Sequence, residues 1–306
     1  MHTILGAGGV IGNNLAAILL EKGEQVRLVG RNPKAIGTAE LFKADLMSAE
    51  SVRAAVAGSK VVYLVVGLPY NIKVWEAQWD AAMANAIAAC EAENCRLIFF
   101  DNVYMYGRVT GKMTEETPNN PCSRKGVVRE RIANAFMDAI KRGTLKGSIA
   151  RAADFYGPGT DKSVIGATVF DNFAKGKSAQ WLISDKYVHT FTEVYDASYG
   201  TYLLGQNADT DGQIWHLPTT KELITGKEFI TKAAAVFEVK PRYSLLSKFM
   251  LRVLGLFIPI LKEVVEMTYQ NDQDYIFDST KFERRFNYTA MSYDEGLKRV
   301  RDGYRA

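Results

Sequence analysis

Short apolar runs alternate with longer segments that carry an apolar residue at every third or fourth position. The runs are typical of strands buried on both faces, and the longer spacing is typical of helices. After a first strand next to Met1, the predicted strands are Gln25–Val29, Glu40–Asp45, Val61–Val66, Arg96–Phe100 and Gly147–Ala152. The predicted helices are one around Ile11–Leu19, then Ser48–Val56, Val74–Glu93 and Ser123–Arg142. This order predicts a parallel sheet with helices on both faces.

The pattern loosens after about Arg151. The elements predicted there are helix Val164–Lys175, a short hairpin at Ala179–Phe191, helix Glu193–Gln206, strand Gln213–Leu217 and helix Thr225–Phe237. We find no repeat or linker-like segment, so two lobes that share one sheet are favoured over separate domains. The predicted fold class is α/β: a Rossmann-type doubly wound parallel sheet over residues 1–150, with a smaller C-terminal lobe, residues 151–306, intertwined with it.

One segment, Phe249–Leu261, is strongly apolar but too short to span a bilayer, and it contains Arg252 and Pro259. A helix pair that covers a pocket or forms an oligomer contact is expected here. Attachment to a membrane surface is the alternative, and we expect protein contact rather than lipid contact.

The charge balance and the cysteines limit the classes of partner. Net charge is only +4 and the cations are spread along the chain, so no nucleic-acid partner is expected. Cys90, Cys95 and Cys122 have neither disulfide nor zinc spacing, which suits a reducing compartment and gives no metal site. No secretory signal precedes the first strand. We therefore expect a cytoplasmic protein without membrane insertion.

Gly6, Gly9 and Gly12 stand three apart between the first strand and the first helix. The first glycine permits a tight turn, the second admits a phosphate, and the third lets the helix pack on the sheet. The helix then directs its free N–H groups at a pyrophosphate. An ordinary strand-to-helix turn is the simpler alternative, but the strand before and the helix after favour a dinucleotide-binding domain at residues 1–150.

The end of the second strand selects between the two nicotinamide dinucleotides. NAD enzymes usually carry an acid there, whereas this chain has Gly30 followed by Arg31. A guanidinium suits a 2′-phosphate, so NADP is preferred over NAD; a solvent-facing arginine is the simpler alternative. Asp45 and Leu46, at the end of the third strand, are expected beside the adenine.

Several motifs in order connect the chain to a known family. They are the glycine motif, Asp45-Leu46, Asp101-Asn-Val-Tyr-Met-Tyr-Gly107, Arg151-Ala-Ala-Asp-Phe-Tyr-Gly-Pro-Gly159 and His189-Thr-Phe-Thr-Glu-Val-Tyr-Asp196. Over most of its length the chain resembles the extended short-chain dehydrogenase/reductases, the NAD-dependent epimerase/dehydratase proteins. The resemblance implies a dinucleotide held by Gly6, Gly9, Val10, Ile11, Gly12, Arg31, Asp45, Leu46 and Gly67.

The catalytic positions depart from the family pattern. The family uses a tyrosine and a lysine four residues later, and the matching segment, Pro121–Glu130, has Cys122 and Gly126 at those positions. Asn102 replaces the catalytic serine, so it could donate a hydrogen bond to a carbonyl oxygen but not perform hydroxyl chemistry. The chain therefore resembles an atypical member without the usual Tyr/Lys pair. For Cys122 itself, a small buried core residue is the expected role.

Asn102, Tyr104 and Lys125 are the predicted catalytic residues. Tyr104 would share a direction with Asn102 and act as general acid if the strand stayed extended past Asp101. Lys125, or Arg129 one turn later, would supply a positive field, although a solvated basic face is the simpler interpretation. The remaining tyrosine of this loop, Tyr106, matches a family tyrosine and is expected to pack.

Asp154, Tyr156 and His189 are the predicted substrate-binding residues, because the resemblance puts their positions near a sugar nucleotide. Two functions stay open. One is an NAD(P)-dependent oxidoreductase or epimerase/dehydratase-like enzyme that acts on a hydroxyl or carbonyl of a small polar substrate, such as a sugar or sugar nucleotide. The other is a non-catalytic NADP(H)-binding redox sensor or regulator that resembles NmrA-type proteins. The retained motifs favour the enzyme, with a small-molecule substrate as partner and a homodimer as a possible assembly.

Overall fold

The computed structural model describes residues 1–161 and 163–305, which form thirteen strands and eleven α-helices. In chain order the strands are β1 His2–Leu5, β2 Val26–Gly30, β3 Glu40–Lys43, β4 Val61–Leu64, β5 Arg96–Asp101, β6 Lys112–Met113, β7 Lys146–Arg151, β8 Asp154–Tyr156, β9 Ala179–Leu182, β10 Phe191–Glu193, β11 Ile214–His216, β12 Tyr243–Leu246 and β13 Ile276–Phe277. The helices are α1 Val10–Glu21, α2 Ala49–Val56, α3 Ile72–Glu93, α4 Arg124–Lys141, α5 Asp171–Ala174, α6 Val194–Gln206, α7 Gly226–Val236, α8 Lys248–Leu254, α9 Pro259–Val265, α10 Thr280–Phe286 and α11 Tyr293–Arg305.

The predicted Rossmann-type α/β fold is confirmed by a seven-stranded parallel sheet in the order β11-β7-β5-β4-β1-β2-β3. Two compact units divide the chain. The first unit contains this sheet and consists of Met1–Met105, Arg124–Ala152 and Ala197–Leu217; the second consists of Tyr106–Ser123, Ala153–Asp196 and Pro218–Ala306. The chain therefore passes between the units several times.

A continuous apolar core holds the sheet of the first unit against α2, α3 and α4. Leu5, Leu64 and Phe99 from the strands belong to one buried cluster with Trp79 and Phe136 from the helices. Complete burial of a side chain of this size contributes about 1.5–3 kcal/mol to stability. This layer therefore fixes the strand ends and the loops that follow them.

The second unit contains three parallel strand pairs among its described residues, and they correct one prediction. The predicted hairpin at residues 179–191 is wrong. β9 pairs with β12, and β10 pairs with β8. The strand partner of β9, residues 243–246, is remote in sequence, and it is this pairing that replaces the local turn. The predicted helix at 164–175 is confirmed as a helical run over residues 164–174, with a π-helical turn at Gly166–Phe170 that leads into α5.

The apolar segment Phe249–Leu261 does form a helix pair, α8 and α9, and most of its apolar side chains are exposed. Phe249 is 73% exposed, and Leu256 and Phe257 are 81% and 80% exposed. The predicted helix pair is confirmed, and protein contact rather than lipid contact stays a prediction. Among the described residues, no helix is both long and apolar enough to cross a membrane.

Candidate functional site

The glycine-rich loop between β1 and α1 has a shape that side chains would prevent. Gly6 has a φ of +106°, and an added Cβ would lie 2.4 Å from the Cα of Val66. At Gly12 an added Cβ would lie 3.2 Å from the carbonyl oxygen of Gly6. The turn and the close packing of α1 on the sheet therefore both require glycine. Val10 and Ile11, also predicted to hold the cofactor, are the first residues of α1.

The N-terminus of α1 is accessible and carries no side-chain cap. Gly9 is the N-cap residue, it is exposed, and an added Cβ would approach only the carbonyl oxygen of Gly6, at 3.9 Å. The first turn of α1 contains no acid. Asn13, which the sequence analysis missed, accepts a hydrogen bond from the Gly8 N–H at 3.2 Å and holds the loop. An anion can therefore bind to the free N–H groups at this helix end.

Parallel pairing brings the other predicted cofactor residues to the same edge of the sheet. β4, β1, β2 and β3 are successive neighbours. Gly67 follows the carboxyl end of β4, Arg31 follows β2, and Asp45 and Leu46 follow β3. Asp45 is exposed and Leu46 is buried. The predicted cofactor residues therefore lie next to one another along the carboxyl edge of the sheet.

Two cations lie at the end of β2. Gly30 packs so near the glycine loop that an added Cβ would lie 3.4 Å from a loop carbonyl oxygen. Arg31 follows it and is exposed, and Lys43 of β3, in register with Gly30, is exposed as well. Glu40 lies at the other end of β3, where Arg27 holds its carboxylate at 3.0 Å. Lys43 was missed by the sequence analysis, since only strand register reveals it.

At the end of β5, one buried carboxylate lies between two buried guanidinium groups. Asp101 Oδ1 accepts from Arg129 Nε at 2.8 Å, and Asp101 Oδ2 accepts from Arg151 Nε at 3.1 Å. The three side chains are at most 4% exposed. The guanidinium carbon of Arg129 also lies 4.5 Å from the ring centre of Trp79 and 5.0 Å from that of Phe99. This network fixes the backbone from which Asn102 projects.

Asn102 and Tyr104 lie close together, but not because the strand continues. β5 ends at Asp101 and residues 104–106 form a 3-10 turn, so the expected extended conformation is wrong. Asn102 Oδ1 accepts from the Tyr104 N–H at 3.1 Å, and its amide Nδ2 therefore points elsewhere and can donate. The ring of Tyr104 stacks on Trp75 at a centroid distance of 6.3 Å.

Lys125 is completely buried near the start of α4, and Arg129 is 4% exposed. A solvated basic face is therefore the wrong interpretation of these cations. Lys125 Nζ lies 4.7 Å from the ring centre of Tyr70, and Tyr70 contacts Trp75 edge to face. Tyr70 is not among the residues predicted from the sequence, because it comes from the loop after β4, far from the family's catalytic motif. Tyr70 and Tyr104 are thus two phenols that flank the same indole.

Cys122 and Tyr106 lie in the second unit. Cys122 is exposed, so its expected place in the core is wrong. Partial burial nevertheless raises the pKa of its thiol above the usual value, and the thiol stays protonated near neutral pH. Tyr106 is 1% exposed, as expected for a packing residue.

Two of the predicted substrate residues form a pair in the second unit. Because β8 and β10 pair in parallel, His189 Nε2 and Asp154 Oδ2 lie 3.0 Å apart. His189 is 4% exposed and stacks on Tyr275 at 4.4 Å between ring centres. The side chain of Asp154 is 36% exposed. Asp154 can therefore offer a carboxylate oxygen to a ligand hydroxyl while the histidine holds the other oxygen.

Tyr156, the third predicted substrate residue, belongs to the core of the second unit. It is 1% exposed, and its hydroxyl has no hydrogen-bond partner among the described residues. Burial raises the pKa of this phenol well above its usual value. Its ring packs against Phe229 and Tyr293. This environment favours a packing role over direct contact with a ligand.

Glu193 of β10 is a buried acid that the sequence analysis did not single out. It is 2% exposed, and its Oε2 accepts from the backbone N–H groups of Tyr195 and Asp196. Burial raises the pKa of Glu193 to about 7, although Arg299, whose Nε lies 3.4 Å from Oε1, lowers it in part. Across the described residues, no cluster of His, Cys, Asp and Glu could hold a metal ion.

A sequence profile of the NAD dependent epimerase/dehydratase family matches residues 2–217, well over half of the chain. The chain belongs to this family. The matched span includes the glycine loop, the end of β5 and the Asp154–His189 pair, so the family resemblance of the motifs is confirmed. No curated protein sequence gives a significant match.

Solved structures of sugar-nucleotide enzymes share the fold of this NAD dependent epimerase/dehydratase family member. The UDP-glucose 4-epimerase of Thermus thermophilus, in complex with NAD, has a TM-score of 0.81 at 17% identity, covering 100% of this chain and 99% of that chain. The UDP-glucuronic acid 4-epimerase of Bacillus cereus, also with NAD, has a TM-score of 0.82 at 15% identity, with coverage of 100% and 99%. A dTDP-glucose 4,6-dehydratase double mutant from Streptomyces venezuelae, with NAD bound, has a TM-score of 0.78 at 16% identity, with coverage of 100% and 97%.

Proposed function

We propose that this protein is a cytoplasmic NADP-dependent oxidoreductase or isomerase that acts on a hydroxyl or carbonyl group of a small, sugar-like substrate. The observation that carries the proposal is the uncapped, glycine-lined N-terminus of α1, with Arg31 at the neighbouring strand end and no acid there. Family membership and structural neighbours that bind NAD support a dinucleotide at this edge.

Each of the predicted cofactor residues would bind a different part of the dinucleotide. The N–H groups of Val10 and Ile11 would meet the pyrophosphate, since Gly9 leaves room above them. Asp45 and Leu46 would lie beside the adenine. Arg31 would bind a 2′-phosphate, and the exposed Lys43 in register with Gly30 adds a second cation to the same place. This pair of cations is the reason that we favour NADP over NAD.

A bound nicotinamide supplies or accepts a hydride. The chain's own residues would then bind the oxygen of the reacting carbon and transfer its proton. Asn102 Nδ2 would donate to that oxygen, because Oδ1 already accepts from the backbone. A phenol would transfer the proton, and the buried ammonium of Lys125 would favour its ionised form. Tyr104 is the donor predicted from the sequence, and Tyr70 competes with it because Lys125 lies over its ring.

The substrate is proposed to be a sugar or sugar nucleotide. The structural neighbours include epimerases of UDP-sugars. In this chain Asp154 supports a polyhydroxylated ligand, because an accessible carboxylate accepts hydrogen bonds from hydroxyl groups. His189 would keep that carboxylate oriented.

Calorimetric titration tests the cofactor assignment. We expect NADPH to bind more tightly than NADH to the wild-type protein, and Arg31→Ala to weaken NADPH by about 1.5–3 kcal/mol, because a charge-assisted hydrogen bond is lost. Arg53→Ala, which removes an equal charge from the exposed face of α2, is the control and should change little. Equal affinities of the wild type for the two cofactors would contradict the preference.

A non-catalytic NADP(H) sensor is the second candidate, favoured by Cys122 and Gly126 at the positions of the family's Tyr and Lys. The two functions separate in one experiment. Sugars and sugar nucleotides are screened for oxidation of NADPH or for isomerisation with bound cofactor. Turnover supports the enzyme, whereas tight NADPH binding without turnover of any compound supports the sensor.

A further inference from the structure

The helical hairpin formed by α8 and α9, residues 247–265, has an apolar tip that the described chain leaves uncovered. Leu256 and Phe257 at its turn are 81% and 80% exposed. The other exposed apolar side chains of the hairpin are Phe249, Met250, Val253, Leu254, Ile258 and Ile260. Soluble proteins rarely expose a contiguous apolar patch of this kind unless it binds something.

Local structure holds these side chains outward. Ser247 caps α8, and Leu251 and Val264 are the hairpin's buried anchors. At Gly255 an added Cβ would lie 3.0 Å from the Leu251 carbonyl oxygen and 3.1 Å from the Lys262 nitrogen, so the two helices cross at close range. The tip is therefore formed by two helices in close contact.

The charges on the hairpin are mostly cationic. Residues 247–265 contain three exposed cations, which are Lys248, Arg252 and Lys262. Their one acid, Glu263, is partly buried. An exposed apolar surface with flanking Lys and Arg matches the interface of an anionic membrane, where apolar side chains enter below the headgroups and cations meet the phosphates.

A second copy of the chain fits this surface less well. A two-fold contact would place each tip against its own equivalent. The exposed cations of the hairpin, Lys248, Arg252 and Lys262, would then face their own equivalents, and like charges across an interface oppose association. The charge pattern therefore favours an anionic surface over self-association.

We propose that the α8–α9 tip docks on an anionic membrane surface. The contact lies on the bilayer without spanning it, and it does not depend on the proposed enzymatic function. Leu256 and Phe257 supply the apolar anchor, and Arg252 and Lys262 supply the nearest charges.

Vesicle flotation of the full chain tests this proposal, with phosphatidylcholine vesicles that either contain or lack phosphatidylglycerol. We expect flotation with the anionic vesicles, and a decrease in partitioning of at least about tenfold in Leu256→Ser/Phe257→Ser, since two exposed apolar anchors are lost. Leu223→Ser, which changes another exposed leucine, should float like the wild type. Removing one tip cation by Arg252→Ser should weaken partitioning about fivefold, whereas Lys177→Ser should not.

A fluorescent probe reports on the tip itself. The four native tryptophans, Trp75, Trp79, Trp181 and Trp215, are at most 5% exposed. In Phe257→Trp, brominated lipids should therefore quench the introduced indole and spare the native ones. The proposal is overturned if the wild type does not float with anionic vesicles, or if the double variant floats equally well. It is also overturned if the tip substitutions abolish a dimer while no vesicle binding occurs.

Discussion

The carboxyl ends of β1 and β2 are built mainly from backbone, whereas the carboxyl end of β5 is built from side chains. At β1, glycines open a turn and leave the N–H groups of α1 accessible. At β5, Asp101, Arg129 and Arg151 fill the interior with paired charges, and Lys125 lies over a tyrosine ring. Both ends belong to the same sheet of the first unit.

The difference separates two ways of encoding a site. A backbone site is defined by a few glycines at fixed spacing, and it tolerates change elsewhere in the chain. A side-chain site depends on residues from several elements, so its chemistry can be rebuilt while the sheet stays the same. In this protein the family's Tyr/Lys positions hold Cys122 and Gly126, while a different cation, Lys125, is buried beside Tyr70.

The largest expected effect comes from breaking the charge network at β5. Asp101→Asn would leave two buried guanidinium groups without their counter-charge, and we expect the free energy of unfolding in urea to fall by about 3–5 kcal/mol. Asp80→Asn is the control, because Asp80 pairs with Arg131 on the surface. An exposed pair contributes about 0–1 kcal/mol. Equal unfolding curves for both variants would remove the structural role assigned to Asp101.

The identity of the proton donor is tested by two conservative variants. With a substrate in hand, Tyr104→Phe or Tyr70→Phe should lower kcat by at least about 10²-fold, the low end for positioned acid catalysis. NADPH affinity should stay unchanged in both variants. The phenol with the larger loss is the donor, and Tyr106→Phe is the matched control in the same loop. Full turnover in both Tyr104→Phe and Tyr70→Phe would exclude the scheme with a phenol beside Lys125.

The backbone site is tested by Gly9→Ala. Gly9 has an ordinary negative φ and open space where a Cβ would lie, so we expect an unchanged melting temperature. NADPH affinity should fall by about 1–3 kcal/mol, because a methyl group would crowd the phosphate. Calorimetric titration measures the NADPH affinity, and thermal unfolding of the same sample measures the melting temperature; both are compared with the wild type. Unchanged NADPH affinity would argue against a pyrophosphate at this helix end.

The last prediction is a pH dependence of stability that comes from Glu193. Its pKa is about 7 in the folded protein and near 4.5 in the unfolded chain, so the folded state binds the proton more tightly. The stability that this protonation contributes is lost as pH rises from about 4.5 to about 7, by at most about 1.4 kcal/mol per pH unit. The side chain of Glu193→Gln stays neutral at every pH, so this variant should lose the pH-dependent part of the stability. Parallel pH profiles of unfolding for the wild type and Glu193→Gln would contradict the raised pKa.

The sequence alone was sufficient for the sheet, the glycine loop and the family. Apolar periodicity predicts strands and helices because burial is local to each element, and glycine spacing predicts a phosphate loop because steric exclusion acts within a few residues. The same reasoning is wrong at residues 179–191, because β9 pairs with β12, a strand remote in sequence.

Tertiary structure alone decided the burial of Lys125 and Arg129, the contact with Tyr70, the Asp154–His189 pair and the exposure of the α8–α9 tip. Each depends on groups that are remote in sequence and meet only when strands align or helices pack. A cation looks the same in sequence whether it is solvated or buried beside a phenol. An apolar segment likewise looks the same whether the fold covers it or leaves it exposed. The energies that distinguish these cases come from the neighbours, and those neighbours are fixed by the fold.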